Sequence, residues 1–146
     1  MYLYVLELEN QKYYVGIAED VGLRLWTHFK MNSKTGSAWT KKYKPLRVLH
    51  ISEIKQSKWK YKAVERECVL RIAKAVGFAN VRGAGFSLSQ EAYPANWDDK
   101  LVEIPAADFS KMTPPTKEEL KNLMKGKYQL WLARKKNIQG RQKAMS

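Results

Sequence analysis

Cysteine is nearly absent from this chain of 146 residues, in which Cys68 is the only one. A single cysteine excludes an intramolecular disulfide and a cysteine-based zinc site, and it is typical of a reducing, intracellular environment. Long apolar runs are absent as well, because no stretch approaches the length of a membrane span. The apolar run that starts at Met1 stops at Glu7, which predicts no signal peptide. We therefore expect a cytoplasmic protein with no membrane partner.

Acidic residues are scarce relative to basic ones. The chain has 14 Asp and Glu against 27 Lys and Arg, which gives a net charge of +13. A small surplus of lysine would only keep a protein soluble, but a charge this large attracts polyanions. Nucleic acid is therefore the leading partner. Tryptophan and tyrosine are plentiful, and the hydrophobic share of 45% predicts a chain that folds.

Two short tyrosine-containing segments open the sequence. Residues 2–8 and 12–17 are rich in Tyr, Val and Leu and flank the polar stretch ENQ, which predicts an antiparallel hairpin. Alternation along the first segment places Tyr4 on one face with Leu6 and Leu8. Gly16 closes the second segment, where a residue without Cβ lets another group approach the backbone closely.

A helix is predicted after Asp20, which is a suitable N-cap residue. Arg24 and His28 are then i, i+4 neighbours on one face of this helix. The adjoining face carries an apolar stripe at the same spacing, formed by Val21, Leu25 and Phe29. We expect the stripe to pack into the core and the two polar side chains to lie at its edge.

A third strand and a long helix follow. Residues 46–53 read as a strand with two apolar faces, which favours a central position in a sheet. Residues 57–77 contain helix formers and end at Gly77, as a helix C-terminus does. Periodicity places Glu65 inside the apolar stripe of this helix, whereas Glu67 falls on the charged side with Arg71.

The order of these elements resembles the GIY-YIG nuclease family over residues 3–87. Leu3-Tyr4 resembles the end of the Gly-Ile-Tyr motif, with the glycine replaced, and Tyr14-Val15-Gly16 resembles Tyr-Ile-Gly. The stretches RLWTHF, AVERE and GFANV resemble the remaining family motifs. The resemblance implies six site residues: Tyr4, Tyr14, Arg24, His28, Glu67 and Asn80.

The resemblance implies a metal-dependent DNA endonuclease that hydrolyses phosphodiester bonds. Glu67 would bind Mg²⁺ or Mn²⁺, with Glu65 as the reserve candidate. Arg24 would donate to phosphate oxygens, since a guanidinium keeps its charge at any working pH. By resemblance Tyr4 is the general base and Tyr14 orients the water, although His28 also remains open as the base. The residues expected to contact substrate are Gly16, Asn80, Lys41, Lys42 and Arg71.

The expected architecture is a small α/β (α+β) domain in which a three-stranded sheet is flanked by helices. Residues 1–90 form the nuclease domain, and residues 91–115 form a loop-rich, proline-containing segment. Residues 116–146 form a basic helical extension that begins with Thr116 as N-cap. Its apolar residues 128–132 could pack back onto the domain or stay outside it.

DNA is the expected partner, and no small-molecule cofactor is expected. One active site cuts one strand, so a double-strand break requires a homodimer on DNA or two successive events. Small stand-alone members of this family occur in bacteria and phages, which implies a bacterial cell or a phage-infected host. Two alternatives stay open: a non-catalytic nucleic-acid-binding protein that keeps the fold and charge, and a basic RNA-binding protein.

Overall fold

The computed structural model describes residues 1–30, 38–83 and 104–145. Its fold is mixed α/β, as predicted. Short 3₁₀ turns lie at 9–11, 58–60, 78–80 and 109–111. In chain order the strands and helices are β1 (Tyr2–Leu8), β2 (Lys12–Ala18), α1 (Val21–His28), α2 (Ala38–Lys42), β3 (Pro45–Glu53), α3 (Tyr61–Val76), β4 (Val81–Arg82), α4 (Lys117–Met124) and α5 (Tyr128–Met145).

The sheet has four strands in the order β3-β1-β2-β4, so the prediction of three strands is corrected. β1 pairs antiparallel with both β2 and β3, whereas β4 runs parallel to β2. The additional strand is only Val81–Arg82, within a stretch that the sequence predicts to be irregular. Two residues are too few to show the alternation by which a strand is recognised in a sequence.

β3 lies at one edge of the sheet, so its predicted central position is wrong. Its pairing with β1 is interrupted by register shifts, because Val5 faces His50 while Leu6 faces Val48. The shift leaves Leu49 as an extra residue, which moves Val48 and His50 to opposite faces. A strand with apolar residues on both faces can therefore be an edge strand, provided that helices cover both sides.

Two hydrophobic cores lie on opposite faces of the sheet because side chains alternate along β1. Leu3 and Val5 point toward α3, whereas Tyr4, Leu6 and Leu8 point to the other face. We call these the α3 face and the α1 face. The α3 face is completed by Val15, Val69, Ile72, Ala73, Phe78 and Val81. The α1 face is completed by Val21, Leu25, Phe29, Trp39, Leu120, Trp131 and Ile138.

The C-terminal helices pack onto the α1 face. Tyr128 and Trp131 are buried there, whereas Leu130 is exposed. Arg134 donates to the backbone carbonyl of Trp26, and its guanidinium stacks on the Trp26 ring. Of the two alternatives for this segment, docking on the domain is therefore the one observed.

Several local predictions are confirmed. Asp20 caps α1 by accepting a hydrogen bond from the backbone N–H of Leu23, and Thr116 caps α4 in a reciprocal capping box. α3 ends at Gly77, which has a positive φ of 93°. The predicted boundary at residue 90 and much of the 91–115 segment lie outside the described residues. Within those that are described, no helix is long and apolar enough to cross a membrane.

Candidate active site

Tyr4 and Gly16 are paired neighbours on β1 and β2. The ring of Tyr4 lies directly against Gly16, so a Cβ at that position would overlap the Tyr4 phenol. The sequence predicts a close approach at Gly16, and the approaching group is this ring. Gly16 therefore gives the phenol room to lie against β2, and its contact with substrate stays a prediction.

Tyr4, His28 and Thr40 form a buried chain of hydrogen bonds. The Tyr4 hydroxyl lies 2.7 Å from Nε2 of His28, and Nδ1 of His28 lies 3.1 Å from Oγ1 of Thr40. All three residues are at most 3% exposed. A neutral imidazole has one donor and one acceptor nitrogen. When Nε2 accepts from Tyr4, Nδ1–H donates to Thr40, whose hydroxyl can accept this bond.

Burial controls the protonation of this pair. It lowers the pKa of His28 to about 3, and the nearby charge of Arg24 acts in the same direction. Burial also raises the pKa of Tyr4, with Tyr14 adding to the rise and Arg24 opposing it. A neutral imidazole therefore faces a neutral phenol at neutral pH.

Arg24 links the two tyrosines, since its guanidinium forms side-chain hydrogen bonds with both phenols. Burial alone would lower the pKa of Arg24, but the phenol oxygens reverse the effect and the net change is upward. The Tyr14 ring lies 5.0 Å from His28 and 6.3 Å from Tyr4, measured between centroids. Arg24 and Tyr14 are half-buried, so they form the accessible edge of the cluster, with Tyr4 and His28 behind them.

Glu65 is the acid that approaches this cluster. Its side chain is buried and accepts a hydrogen bond from the backbone N–H of Ile17, the residue after Gly16. It lies close enough to Tyr4 for its charge to raise the pKa of that phenol. Burial raises the pKa of Glu65 itself, and Lys62 and the Ile17 bond partly offset the rise.

Glu67 occupies a different place. It is exposed and, with Arg71, lines a groove that also contains Asp108, Lys111 and residues of the α3 face. The structure thus brings Glu65, and not Glu67, within electrostatic reach of Tyr4. The sequence periodicity already marks Glu65 as the buried acid, whereas the family resemblance favours Glu67.

Asn80 lies beside Lys12 at the start of β2. Lys12 precedes Gly16 by four residues, which corresponds to about 13 Å along the strand. Its side-chain oxygen accepts from Lys12 at 2.8 Å, and its amide donates to the Val76 carbonyl at 2.6 Å. These bonds tie the end of α3 to β2. The next residue, Val81, pairs with Tyr13, the neighbour of Tyr14. Asn80 thus helps to position β2, and its contact with substrate stays a prediction.

The remaining predicted residues lie around the cluster. Lys41 and Lys42 are exposed at the end of α2, the helix that also carries Thr40. Thr40 cannot be recognised from the sequence, because it lies 12 residues from its partner His28 and no motif contains both residues. Only the tertiary structure identifies it.

Residues 1–71 match the family model of the GIY-YIG catalytic domain. The match includes both tyrosines, Arg24, His28 and both glutamates, whereas Asn80 lies beyond it. No curated protein and no solved structure matches the chain significantly. With the predicted motifs and the mixed α/β fold, this match shows that residues 1–71 belong to a GIY-YIG catalytic domain. Such a domain implies a nuclease and a nucleic-acid substrate.

Proposed function

We propose that this protein is a metal-dependent DNA endonuclease. The observation that carries the proposal is the cluster at Gly16, where one guanidinium is shared by two phenols and one of these phenols is bonded to a neutral histidine. A buried tyrosine and histidine alone could be a core hydrogen bond. A half-exposed arginine shared between two phenols adds an anion-binding group directly in front of them.

A hydrated divalent cation fits the acids that the structure offers. Within the described ranges, no group of three or more His, Cys, Asp or Glu side chains could enclose a metal. Mg²⁺ often takes only one or two protein carboxylates and keeps several waters. Glu65 is the residue that would hold it, since its charge reaches Tyr4 and its side chain is bonded to the backbone next to Gly16. When bound, such a cation would stabilise charge on the phosphate and on the departing oxygen.

Arg24 binds the phosphate in this mechanism. In the free protein its guanidinium is occupied by Tyr4 and Tyr14. A phosphodiester offers charged oxygens that match the guanidinium better than neutral phenols do. Binding therefore draws Arg24 outward, uncovers the Tyr4 hydroxyl and leaves Tyr14 to orient the attacking water.

Tyr4 and His28 then move the proton as a unit. As the water oxygen bonds to phosphorus, its proton passes to the Tyr4 oxygen, and the proton of Tyr4 passes to Nε2 of His28, 2.7 Å away. The negative charge of the bound phosphate and the outward movement of Arg24 oppose the effects that lower the pKa of His28 in the free protein, and the proton is released to solvent after cleavage. The P–O bond to the leaving sugar oxygen breaks, and solvent protonates that oxygen. In the tautomer that can accept this proton, Nδ1–H of His28 donates to the Thr40 hydroxyl.

The test is cleavage of supercoiled plasmid DNA and of a labelled single strand, with Mg²⁺ or EDTA. The variants are Glu65→Gln, which keeps the size and the oxygen that accepts from Ile17, and Glu67→Gln as the matched control on the same helix. We expect cutting to require metal and to be lost in Glu65→Gln, because an amide is a poor ligand for Mg²⁺. Glu67→Gln should cut as the unmodified protein does.

The opposite pattern, with Glu67→Gln inactive and Glu65→Gln active, would identify Glu67 as the metal ligand. Binding without cutting by the unmodified protein would contradict the proposal and support a non-catalytic nucleic-acid-binding protein. Cutting of RNA but not of DNA would contradict the choice of substrate. Nicked rather than linear plasmid product would indicate that single sites act without pairing on DNA.

A further inference from the structure

Trp59 is the most exposed large hydrophobic side chain among the described residues, at 80%. It lies in the short 3₁₀ turn Lys58–Lys60 that leads into α3. By contrast Trp39 and Trp131, at 0% and 1% exposed, are fixed in the core. A tryptophan is normally buried for most of its surface, so its position on this turn requires an explanation.

The surroundings of Trp59 are strongly basic. Residues 54–64 contain four lysines and no acid, and all four lysines are exposed. The ammonium of Lys60 lies 5.2 Å from the centroid of the Trp59 ring, a cation–π distance. We call the set formed by Lys55, Lys58, Trp59, Lys60 and Lys62 the Trp59 patch. An aromatic face among exposed cations is complementary to a base followed by phosphates.

The patch adjoins the candidate active site through α3. Lys62 is close enough to Glu65 to affect the pKa of that carboxyl. Trp59 precedes Glu65 by six residues, which corresponds to about 10 Å along the turn and helix. A strand within a duplex advances about 3.4 Å per nucleotide and an unpaired strand is more extended, so this length spans at most about three nucleotides.

We propose that the Trp59 patch holds the substrate strand beside the scissile phosphate, with an unpaired base stacked on the Trp59 ring and phosphates near its lysines. The proposal deepens the proposed function and rests on it, because the strand is the one whose phosphate reaches Arg24. It makes an unpaired or locally opened strand the preferred substrate. A fully paired duplex cannot offer the face of a base to Trp59.

Binding is measured without metal, so that no cleavage takes place, by fluorescence anisotropy of a labelled oligothymidylate of about 12 nucleotides. We expect Trp59→Ala to weaken binding about 5- to 100-fold, the range typical of one lost base stack. Trp59→Phe should keep most of the affinity because it keeps an aromatic face. Leu130→Ala is the matched control, since Leu130 is 60% exposed but lies on α5, and it should bind as the unmodified protein does.

Unchanged binding by Trp59→Ala would overturn the proposal, and so would an equal loss in Trp59→Phe and Trp59→Ala. An equal loss of affinity for a fully paired duplex would also overturn it, because the lost contact would not be a base stack. These outcomes are independent of the proposed activity. Metal-dependent cutting with unchanged Trp59→Ala binding refutes only the patch, whereas a Trp59 effect in a protein that never cuts refutes only the nuclease.

Discussion

At the scale of single residues, the two tyrosines of the site have different surroundings although both sit on the first hairpin. Tyr4 is buried and bonded to His28, whereas Tyr14 is half-buried at the accessible edge beside Arg24. Only Tyr4 has an imidazole 2.7 Å away that can take its proton. This asymmetry makes the roles of the two phenols separable.

Tyr4→Phe should lower kcat about 100- to 10,000-fold, which is the usual contribution of a positioned general base. Tyr14→Phe should lower kcat less than about tenfold, because it removes an orienting hydroxyl and leaves the proton path intact. Single-turnover cleavage under saturating protein measures both. Both variants keep the ring, so a thermal melt serves as the check on folding.

Equal, small losses in the two phenylalanine variants would contradict this assignment of the base. A larger loss in Tyr14→Phe would transfer the role to the more accessible phenol. His28→Gln discriminates further, because an amide can hold the hydrogen bond of Tyr4 but cannot accept its proton at neutral pH.

At the scale of elements, α1 carries Arg24 and His28 and depends on the C-terminal helices for its position. Gly22 of α1 faces the backbone of α4 so closely that a Cβ would overlap the carbonyl of Leu123. The N-terminus of α1 is also close to Lys125, whose ammonium lies 3.8 Å from the Asp20 carboxylate. The basic C-terminal segment thus supports the site as well as contributing charge.

Gly22→Ala should destabilise the protein by about 1–3 kcal/mol, because the new methyl group meets rigid backbone and forces α1 and α4 apart. Gly140→Ala is a matched substitution, since Gly140 also lies in a helix but has nothing within 4 Å of a new Cβ. It should stabilise the protein by up to about 1 kcal/mol through helix propensity. Urea denaturation of both variants measures the difference.

A Gly22→Ala variant as stable as the unmodified protein would show that α4 does not press against α1 at this position. Loss of activity with full stability in the same variant would place the effect at Arg24 and His28 instead. The two Gly→Ala exchanges are expected to change the free energy of unfolding in opposite directions. A general effect of replacing glycine in a helix would change it in the same direction in both variants.

At the scale of the whole molecule, buried histidine links stability to pH. The chain has two histidines, and burial lowers the pKa of both, that of His28 to about 3. Below pH 6.5 the unfolded chain binds a proton at His28, whereas in the folded protein His28 stays neutral until the pH approaches 3. Stability should therefore be complete above about pH 6.5 and fall as the pH drops toward 3, at up to about 1.4 kcal/mol per pH unit for His28.

The free energy of unfolding, measured by urea titration from pH 7 to pH 4, should rise with pH less steeply in His28→Gln than in the unmodified protein. His50→Gln is the control at the other histidine, and a smaller change of slope is expected there because His50 is only half-buried. Carboxyl groups contribute equally to all three proteins, so they cancel in the comparison. Identical slopes in all three would contradict a neutral, buried His28.

Features that depend on neighbours along the chain could be predicted from the amino-acid sequence. Alternation set the two faces of β1, Asp20 and Thr116 marked the starts of helices, and Gly77 marked an end. The pattern around Tyr4, Tyr14, Arg24 and His28 indicated the family. Each of these signals rests on spacings of a few residues, where backbone geometry fixes which side chains share a face.

Features that depend on contacts between distant segments became visible in the folded protein. Thr40 is hydrogen-bonded to His28, although no sequence motif contains both residues. Glu65 rather than Glu67 reaches β2 because of the way α3 is rotated about its axis. The bulge that moves β3 out of simple alternation, and the two-residue strand β4, arise from pairing with strands elsewhere in the chain. Such contacts are set by how whole elements pack. Periodicity indicated that Glu65 would be buried, but no local signal indicated which distant segments would meet.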